Sequence, residues 1–189
     1  MSEVADMRVL ERVRPLLQRT NEDIGSVVLM TCGIAGSGKT TLAKAVLSDL
    51  PQFTRLSNDE IINEKHGLYG VDYPADDALY QQYMQEADTI FQERFRSLLD
   101  EGRDVVLDRS LYAKEDRDKL KQIVGEYGGR WVLVFFKALD KEGLWARIRH
   151  RSAQPKGANS ALDISRGTFE MYCDGFEDPQ GEGEIVVEI

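Results

Sequence analysis

Continuous apolar runs alternate along the chain with segments whose apolar residues recur at helical spacing. The three strongest runs are Ser26 to Cys32, Val105 to Leu107 and Trp131 to Phe136. Runs of this length are typical of parallel strands that are buried on both faces. Weaker patterns predict a second strand at Phe53 to Ser57 and a final strand at Glu184 to Glu188. The alternation predicts an α/β fold in which helices cover both faces of a parallel five-stranded sheet.

The first 25 residues precede this alternation. Apolar residues in this segment recur mostly at steps of three and four, which predicts an amphipathic helix on the surface of the domain. They are Val4, Met7, Leu10, Val13 and Leu17. Pro15 would interrupt the helix, so two short helical pieces are an alternative. We therefore expect residues 1–25 to form a helical extension and residues 26–189 to form one domain.

A glycine-rich segment follows the first predicted strand. It runs Gly33, Ile34, Ala35, Gly36, Ser37, Gly38, Lys39, Thr40 and Thr41. The segment matches the phosphate-binding loop pattern G-x-x-x-x-G-K-[ST], in which glycines let backbone N–H groups surround phosphate oxygens. In this pattern Lys39 would reach the β- and γ-phosphates and the Thr40 hydroxyl would bind Mg²⁺.

The alternative interpretation of this segment is a glycine-rich turn that happens to precede Lys-Thr. The surroundings favour the phosphate-binding loop, because a buried strand precedes the segment and a helical pattern from Leu42 to Leu47 follows it. The prediction is thus a P-loop nucleoside triphosphatase sandwich that binds ATP and Mg²⁺. No N-K-x-D guanine-reading motif is present in the sequence.

Acidic residues follow two of the predicted strands. Asp59 comes just after the second strand, where it could accept the proton of an incoming hydroxyl, or where Ser57 to Glu60 could simply cap a helix. Asp108 ends the strand of Val105 to Leu107 in the manner of a Walker-B residue that holds Mg²⁺. Arg109 stands next, where motor-type ATPases carry a glutamate that activates water. This favours transfer to a bound acceptor over hydrolysis.

Three arginines lie within five residues near the end of a predicted helix. Arg147 and Arg151 are four apart and share one helix face, just before a segment of small residues. A solvated basic face is one interpretation. The other is a small lid, about residues 147–165, whose arginines neutralise charge on a transferring phosphoryl group.

Composition limits the partners. The chain of 189 residues has a net charge of −9, which disfavours duplex nucleic acid. With only two cysteines, no apolar run at its start and no segment long enough to cross a bilayer, the sequence predicts a cytoplasmic protein.

Over about residues 26–189 the sequence resembles the small P-loop kinases of the group that includes zeta toxins, chloramphenicol phosphotransferase, gluconate kinase and the kinase domain of polynucleotide kinase. It is most similar to the AAA-domain ATP-binding proteins of that group. The resemblance rests on Cys32 to Ala43, Ser57 to Glu60, Val105 to Asp108, Arg147 with Arg151, and Gly175 to Pro179 ahead of Gly183 and Glu184. It implies that Asp59 is the base acting on the acceptor hydroxyl and that Arg147 and Arg151 are lid arginines.

These observations predict a phosphotransferase that moves the γ-phosphate of ATP to a hydroxyl of a small molecule. Lys39, Asp59, Arg147 and Arg151 are the expected catalytic residues, and Thr40 and Asp108 the expected magnesium ligands. A polynucleotide 5′-hydroxyl kinase and a nucleotide-dependent ATPase or switch acting on a protein partner are the alternatives.

Two further features are open at this point. The loop His66 to Pro74 is either an ordinary connection or one wall of an acceptor pocket. Arg117 stands where similar proteins often carry an arginine, and it would either touch substrate or pair with its acidic neighbours.

Overall fold

The computed structural model describes residues 3–160 and 163–189. Within these residues the chain forms seven α-helices, five strands and one short 3-10 helix. The helices are α1 Glu3–Leu17, α2 Lys39–Asp49, α3 Asn58–His66, α4 Asp77–Asp100, α5 Lys114–Glu126, α6 Lys141–Ser152 and α7 Arg166–Gly175. The strands are β1 Val27–Cys32, β2 Phe53–Leu56, β3 Asp104–Asp108, β4 Arg130–Lys137 and β5 Ile185–Glu188, and the 3-10 helix is Ala158–Ser160.

All five strands run parallel in one sheet, in the order β2-β3-β1-β4-β5. Alternate side chains of the central strands enter two separate buried clusters. Val28 and Met30 of β1 pack with Phe91 of α4 on one face, whereas Leu29 packs with Val46 of α2 on the other. Because both faces are covered, the three-layer α/β sandwich predicted from the apolar runs is confirmed.

The N-terminal helix packs on the face of the sheet that also carries α2. Val9, Val13 and Leu17 of α1 are buried in that cluster. Pro15 does not divide the helix, contrary to the two-piece alternative, because it lies in the last turn. Proline there removes only a hydrogen bond close to the end of the helix. The domain boundary at residue 25 stays a prediction.

The C-terminal segment is attached to the sheet and to α5 by side-chain contacts. The Phe176 ring stacks on Phe135 with centroids 5.9 Å apart. The carboxylate of Glu177 accepts a hydrogen bond from the backbone N–H of Lys114 at 2.6 Å. These contacts give the segment after α7 a structural role.

Arg117 belongs to the same attachment. Its guanidinium is buried and donates to the carboxylate of Glu182 at 2.7 and 3.0 Å, and Lys121 donates to the same carboxylate at 2.6 Å. The prediction that Arg117 pairs with its acidic sequence neighbours, or touches substrate, is therefore wrong. The hydrogen bond from Arg117, with help from Lys121, lowers the pKa of Glu182 to about 2.

None of the helices in the described part of the chain is both long and apolar enough to cross a bilayer.

The pair of Arg117 and Glu182 yields a stability prediction. Their side chains expose only 1% and 5% of their surface, so Glu182→Gln leaves a buried guanidinium without a counter-charge. We expect a loss of about 3 to 5 kcal/mol in the free energy of unfolding, measured by urea denaturation. Glu115→Gln, which removes an exposed ion pair with Lys119, is the control and should leave the midpoint unchanged.

The same pair sets a pH dependence. Because the pKa of Glu182 is lowered from its ordinary 4.5 to about 2, its stabilisation is complete above pH 4.5 and is lost as the pH falls toward 2. Glu182→Gln should remove this part of the acid sensitivity. An unchanged midpoint in Glu182→Gln at neutral pH would contradict the structural role of the pair.

Candidate functional site

The phosphate-binding loop connects β1 to α2 through conformations that side chains disfavour. Gly33, Gly36 and Gly38 have φ angles of 146°, 79° and 107°. A Cβ at Gly33 would also lie 3.0 Å from the carbonyl oxygen of Phe136. Glycine is therefore required for the backbone to turn its N–H groups inward at the start of α2.

The electrostatic surroundings of the loop favour binding of an anion. The first turn of α2 carries no acidic residue, so the positive end of the helix dipole is not compensated. Lys39 Nζ donates to the carbonyl oxygen of Ile34 at 2.9 Å. Desolvation lowers the pKa of Lys39 to about 8, although the charge of Asp108 opposes the shift. The Ser37 hydroxyl is buried with no hydrogen-bond partner in the described chain.

The loop faces a cavity of about 740 Å³ at the carboxyl ends of β1, β2 and β3. Of the residues predicted from the motif, all except the buried Gly33 and Ser37 line this cavity. The structure brings to the same cavity the residues predicted for catalysis and metal binding, which are Lys39, Asp59, Asp108, Arg147 and Arg151, with Thr40. Ligands of open α/β sheets bind at this edge.

Asp59 is the second residue of α3 and is not used as a helix cap. Ser57 stands at the N-cap, but its side chain makes no capping hydrogen bond. Although the Asp59 side chain is open to the cavity, the cavity walls withdraw it from bulk water. This desolvation, followed by the negative charge of Asp108, raises the pKa of Asp59, while Lys39, Arg55 and Arg151 oppose the shift. Asp59 thus remains a carboxylate without a fixed partner in the described chain.

The two oxygens of Asp108 face different partners. Oδ1 lies 3.3 Å from the Thr40 hydroxyl, which donates to it. Oδ2 accepts from Arg55 Nε at 2.9 Å and from Arg55 Nη2 at 2.6 Å. The oxygen beside Thr40 is therefore free of the guanidinium.

Thr40 and Asp108 are suited to be the protein ligands of a magnesium ion. The described residues contain no group of three or more His, Cys, Asp and Glu side chains arranged around a metal. Mg²⁺ does not need such a group, because it is commonly bound by one or two protein oxygens, substrate phosphates and waters.

Arg55 is a site residue that the sequence analysis missed. Its side chain exposes 5% of its surface and contacts Glu60 as well as Asp108. Arg55 Nη2 also donates to Asn159 Oδ1 at 2.6 Å, which joins β2 to the segment after α6. The available signal was a single arginine in a short strand, between Thr54 and Leu56.

The predicted lid begins on α6. Arg147 and Arg151 line the cavity, and the positive charge of Arg151 adds to the desolvation that lowers the pKa of Lys39 and opposes the raised pKa of Asp59. Residues 161–162 of the predicted lid lie outside the described residues. The boundaries of the lid stay a prediction.

The residue after Asp108 does not supply a carboxylate to the cavity. Arg109 Nη2 donates to Asp88 Oδ1 at 2.8 Å, and its guanidinium lies 4.5 Å from the centre of the Phe91 ring. Asn58 donates to the same oxygen of Asp88 at 2.7 Å.

The loop after α3 also contributes to the cavity, because its Tyr69 and Tyr73 line it.

A family model for an AAA domain matches residues 28–179, and the chain therefore belongs to this family. No curated protein matches the chain. The matched range includes the phosphate-binding loop, Asp59, Asp108, Arg147 and Arg151.

Solved structures with the same fold include kinases. A proposed kinase from Chloroflexus aurantiacus J-10-fl has a TM-score of 0.65 at 19% identity, over 86% of this chain and 85% of that one. Chaetomium thermophilum Kti12 in complex with ADP-AlF3 has a TM-score of 0.62 at 15% identity, over 85% and 88%. A gluconokinase from Sinorhizobium meliloti 1021 has a TM-score of 0.52 at 20% identity, over 88% and 83%. The chain thus has the fold of the small P-loop kinases.

The loop geometry yields a prediction for nucleotide binding. In Gly36→Ala the new Cβ would lie 3.1 Å from Ile148 Cγ1 at a φ of +79°. This strain should weaken binding of a fluorescent methylanthraniloyl-ATP about tenfold, measured by fluorescence titration. Gly125→Ala is the matched control, because no atom lies within 4 Å of the added Cβ in α5. Equal affinity in both variants would contradict the assignment of the loop.

Proposed function

We propose that the protein is an ATP- and Mg²⁺-dependent phosphotransferase that moves the γ-phosphate to a hydroxyl of a small molecule. The observation that carries the proposal is the shared cavity. A phosphate-binding loop, an unpaired carboxylate and two arginines of a neighbouring helix line the same space of about 740 Å³. Phosphoryl transfer depends mainly on positioning and charge neutralisation of this kind.

The nucleotide would lie along the loop. Backbone N–H groups of residues 33–41 and the ammonium of Lys39 bind its phosphates, and Arg147 and Arg151 neutralise charge on the transferring group. Thr40 and Asp108 hold the magnesium ion of the nucleotide. When bound, this ion supplies further charge neutralisation on the β- and γ-phosphates.

Asp59 would accept the proton of the acceptor hydroxyl. Its raised pKa makes it a stronger base than an ordinary aspartate. Asp108, by contrast, is held by Arg55 and Thr40. The difference in their partners supports separate roles for the two carboxylates.

The surroundings of Asp108 support transfer over hydrolysis. The residue after Asp108 is an arginine, Arg109, so this position offers no carboxylate to activate water. Its guanidinium instead contacts Asp88 and the Phe91 ring. The ATPase alternative lacks a general base of that kind. Absence of an N-K-x-D motif in the sequence supports ATP over GTP.

Asp59→Asn tests the proposal. The variant should bind nucleotide as well as the wild type, because Asp59 is outside the loop, but it should lose about 10²- to 10⁴-fold in rate. The measurement is ADP release stimulated by a cell metabolite extract. Glu64→Gln, on the same helix in an exposed ion pair with Arg94, is the control and should retain activity. Full stimulation of Asp59→Asn would remove Asp59 from the mechanism.

The raised pKa of Asp59 also predicts a pH profile. Activity needs the ionised carboxylate, so kcat/KM should fall as the pH is lowered through a pKa above the ordinary 3.8 of an aspartate. Circular dichroism at each pH separates this loss from acid unfolding. An acid limb at or below 3.8 in folded protein would contradict the role of Asp59 as base.

A further inference from the structure

One part of the cavity is lined mainly by aromatic and apolar side chains. Tyr69, Tyr73, Tyr80, Met84, Tyr112 and Tyr172 line it. The first four belong to the loop after α3 and to α4, which follow the strand β2 that leads to Asp59. Asp59, in α3, lines the same cavity as these four residues, and α3 packs against α4.

The tyrosines hold one another in fixed orientations. Tyr69 meets Tyr73 and Tyr80 edge to face, with centroids 5.9 and 5.5 Å apart. Tyr73 meets Tyr83 at 5.1 Å, and Tyr83 stacks on His66 at 3.5 Å. Edge-to-face pairs stabilise such clusters. The wall is thus preorganised, which lowers the entropy cost of binding a ligand.

Three hydroxyls of the wall are available. Tyr69 donates to Asp77 at 3.1 Å and Tyr112 donates to the carbonyl of Met171 at 3.4 Å. The hydroxyls of Tyr73, Tyr80 and Tyr172 make no hydrogen bond within the described chain. Desolvation raises the pKa values of Tyr73 and Tyr80, and the charge of Asp59, which lines the same cavity, adds to both shifts. These hydroxyls can therefore bind a ligand that also reaches Asp59.

Each cationic side chain among the described residues that line the cavity already has a partner or a proposed role, so none is free to bind an anionic acceptor. Among the described residues that line it, the cations are Lys39, Arg109, Arg147 and Arg151. Lys39 belongs to the phosphate-binding loop, Arg109 is held by Asp88, and the other two are assigned to the transferring phosphate. A second phosphate or a carboxylate would need its own arginine or lysine.

The chain segment that carries Tyr69 contains carboxylates rather than cations. Desolvation, followed by the hydrogen bond to Asp77 and the charges of Asp77 and Asp76, raises the pKa of Tyr69. Asp72 lies in the same loop, where it accepts a hydrogen bond from the backbone N–H of Leu68 at 2.7 Å. These three carboxylates are exposed to solvent and lie outside the cavity lining, so they add no attraction for an anion on this side.

We propose that the phosphoryl acceptor is an uncharged alcohol that carries a ring, with the ring packed on the wall of Tyr69, Tyr73 and Tyr80 and its hydroxyl at Asp59. The inference rests on the proposed phosphotransferase function. The acceptor oxygen bonds to the γ-phosphorus, the bond from that phosphorus to the β,γ-bridging oxygen breaks, ADP leaves, and the hydroxyl proton passes to Asp59. Sugar acids, sugar phosphates and polynucleotide ends are excluded as good acceptors.

The test compares two probes that differ in charge. In 1-phenylethane-1,2-diol and mandelate a phenyl ring carries the same CH(OH) group, which is bonded to a neutral CH₂OH in the diol and to a carboxylate in mandelate. A 5′-hydroxyl dinucleotide represents the polynucleotide alternative. Binding to the full chain with Mg²⁺ and a non-hydrolysable ATP analogue is measured by saturation-transfer NMR.

We expect the diol to bind more tightly than mandelate and the dinucleotide. Tyr80→Ala should weaken the diol at least about fivefold, with binding of the ATP analogue retained as evidence of folding. Tyr80→Phe, which removes only the free hydroxyl, should weaken it about twofold to tenfold. Tyr83→Phe, whose ring packs behind the wall without lining the cavity, is the matched control and should leave binding unchanged.

The inference is overturned if mandelate or the dinucleotide binds as tightly as the diol, or if Tyr80→Ala leaves the diol unaffected. Transfer of labelled phosphate is measured with the same probes and with a wider set of neutral ring alcohols. Binding that depends on Tyr80 without transfer to any compound would contradict the kinase proposal alone. Transfer to an anionic acceptor would support the kinase proposal and overturn this inference.

Discussion

The parallel pairing of β3 with both β1 and β2 determines where the polar chemistry of this chain lies. Parallel strands end at the same edge of a sheet, so the loop after Cys32, the helix after Leu56 and the carboxylate of Asp108 meet there. The two buried clusters on either face keep these strands in register. Each polar group in the cavity depends on that register, because a slip would separate Asp108 from Thr40.

Within the cavity, the two carboxylates differ in their partners. Asp108 is fixed by Arg55, which leaves one oxygen toward Thr40. Asp59 has no such partner, and desolvation raises its pKa. Two carboxylates in one cavity with different surroundings are a common basis for division of labour in catalysis. Arg55 also reaches Asn159, so the strand that leads to Asp59 is tied to the segment after α6.

Local patterns were sufficient to predict the fold and much of the cavity lining. The glycine spacing of residues 33–41, the apolar run before Asp108 and the four-residue step between Arg147 and Arg151 are short-range features. The sheet was predictable because its central strands are buried on both faces and therefore continuously apolar.

The missed features depend on contacts between distant parts of the chain. Arg55 meets Asn159, and Arg117 meets Glu182 rather than its acidic neighbours. Tyr80 and Met84 of α4 line the cavity, which sequence spacing alone could not reveal, because helical spacing does not distinguish a core face from a cavity lining. Pro15 was misjudged because the end of its helix was not known.

The destination of the γ-phosphate tests the central claim most directly. Wild-type protein is incubated with Mg²⁺ and ATP labelled at the γ-phosphorus, with and without a metabolite extract, and the labelled products are separated. We expect label in a new organic phosphate that forms only with the extract. Label found solely in inorganic phosphate, at a rate that the extract does not change, would contradict the account and favour an ATPase or switch.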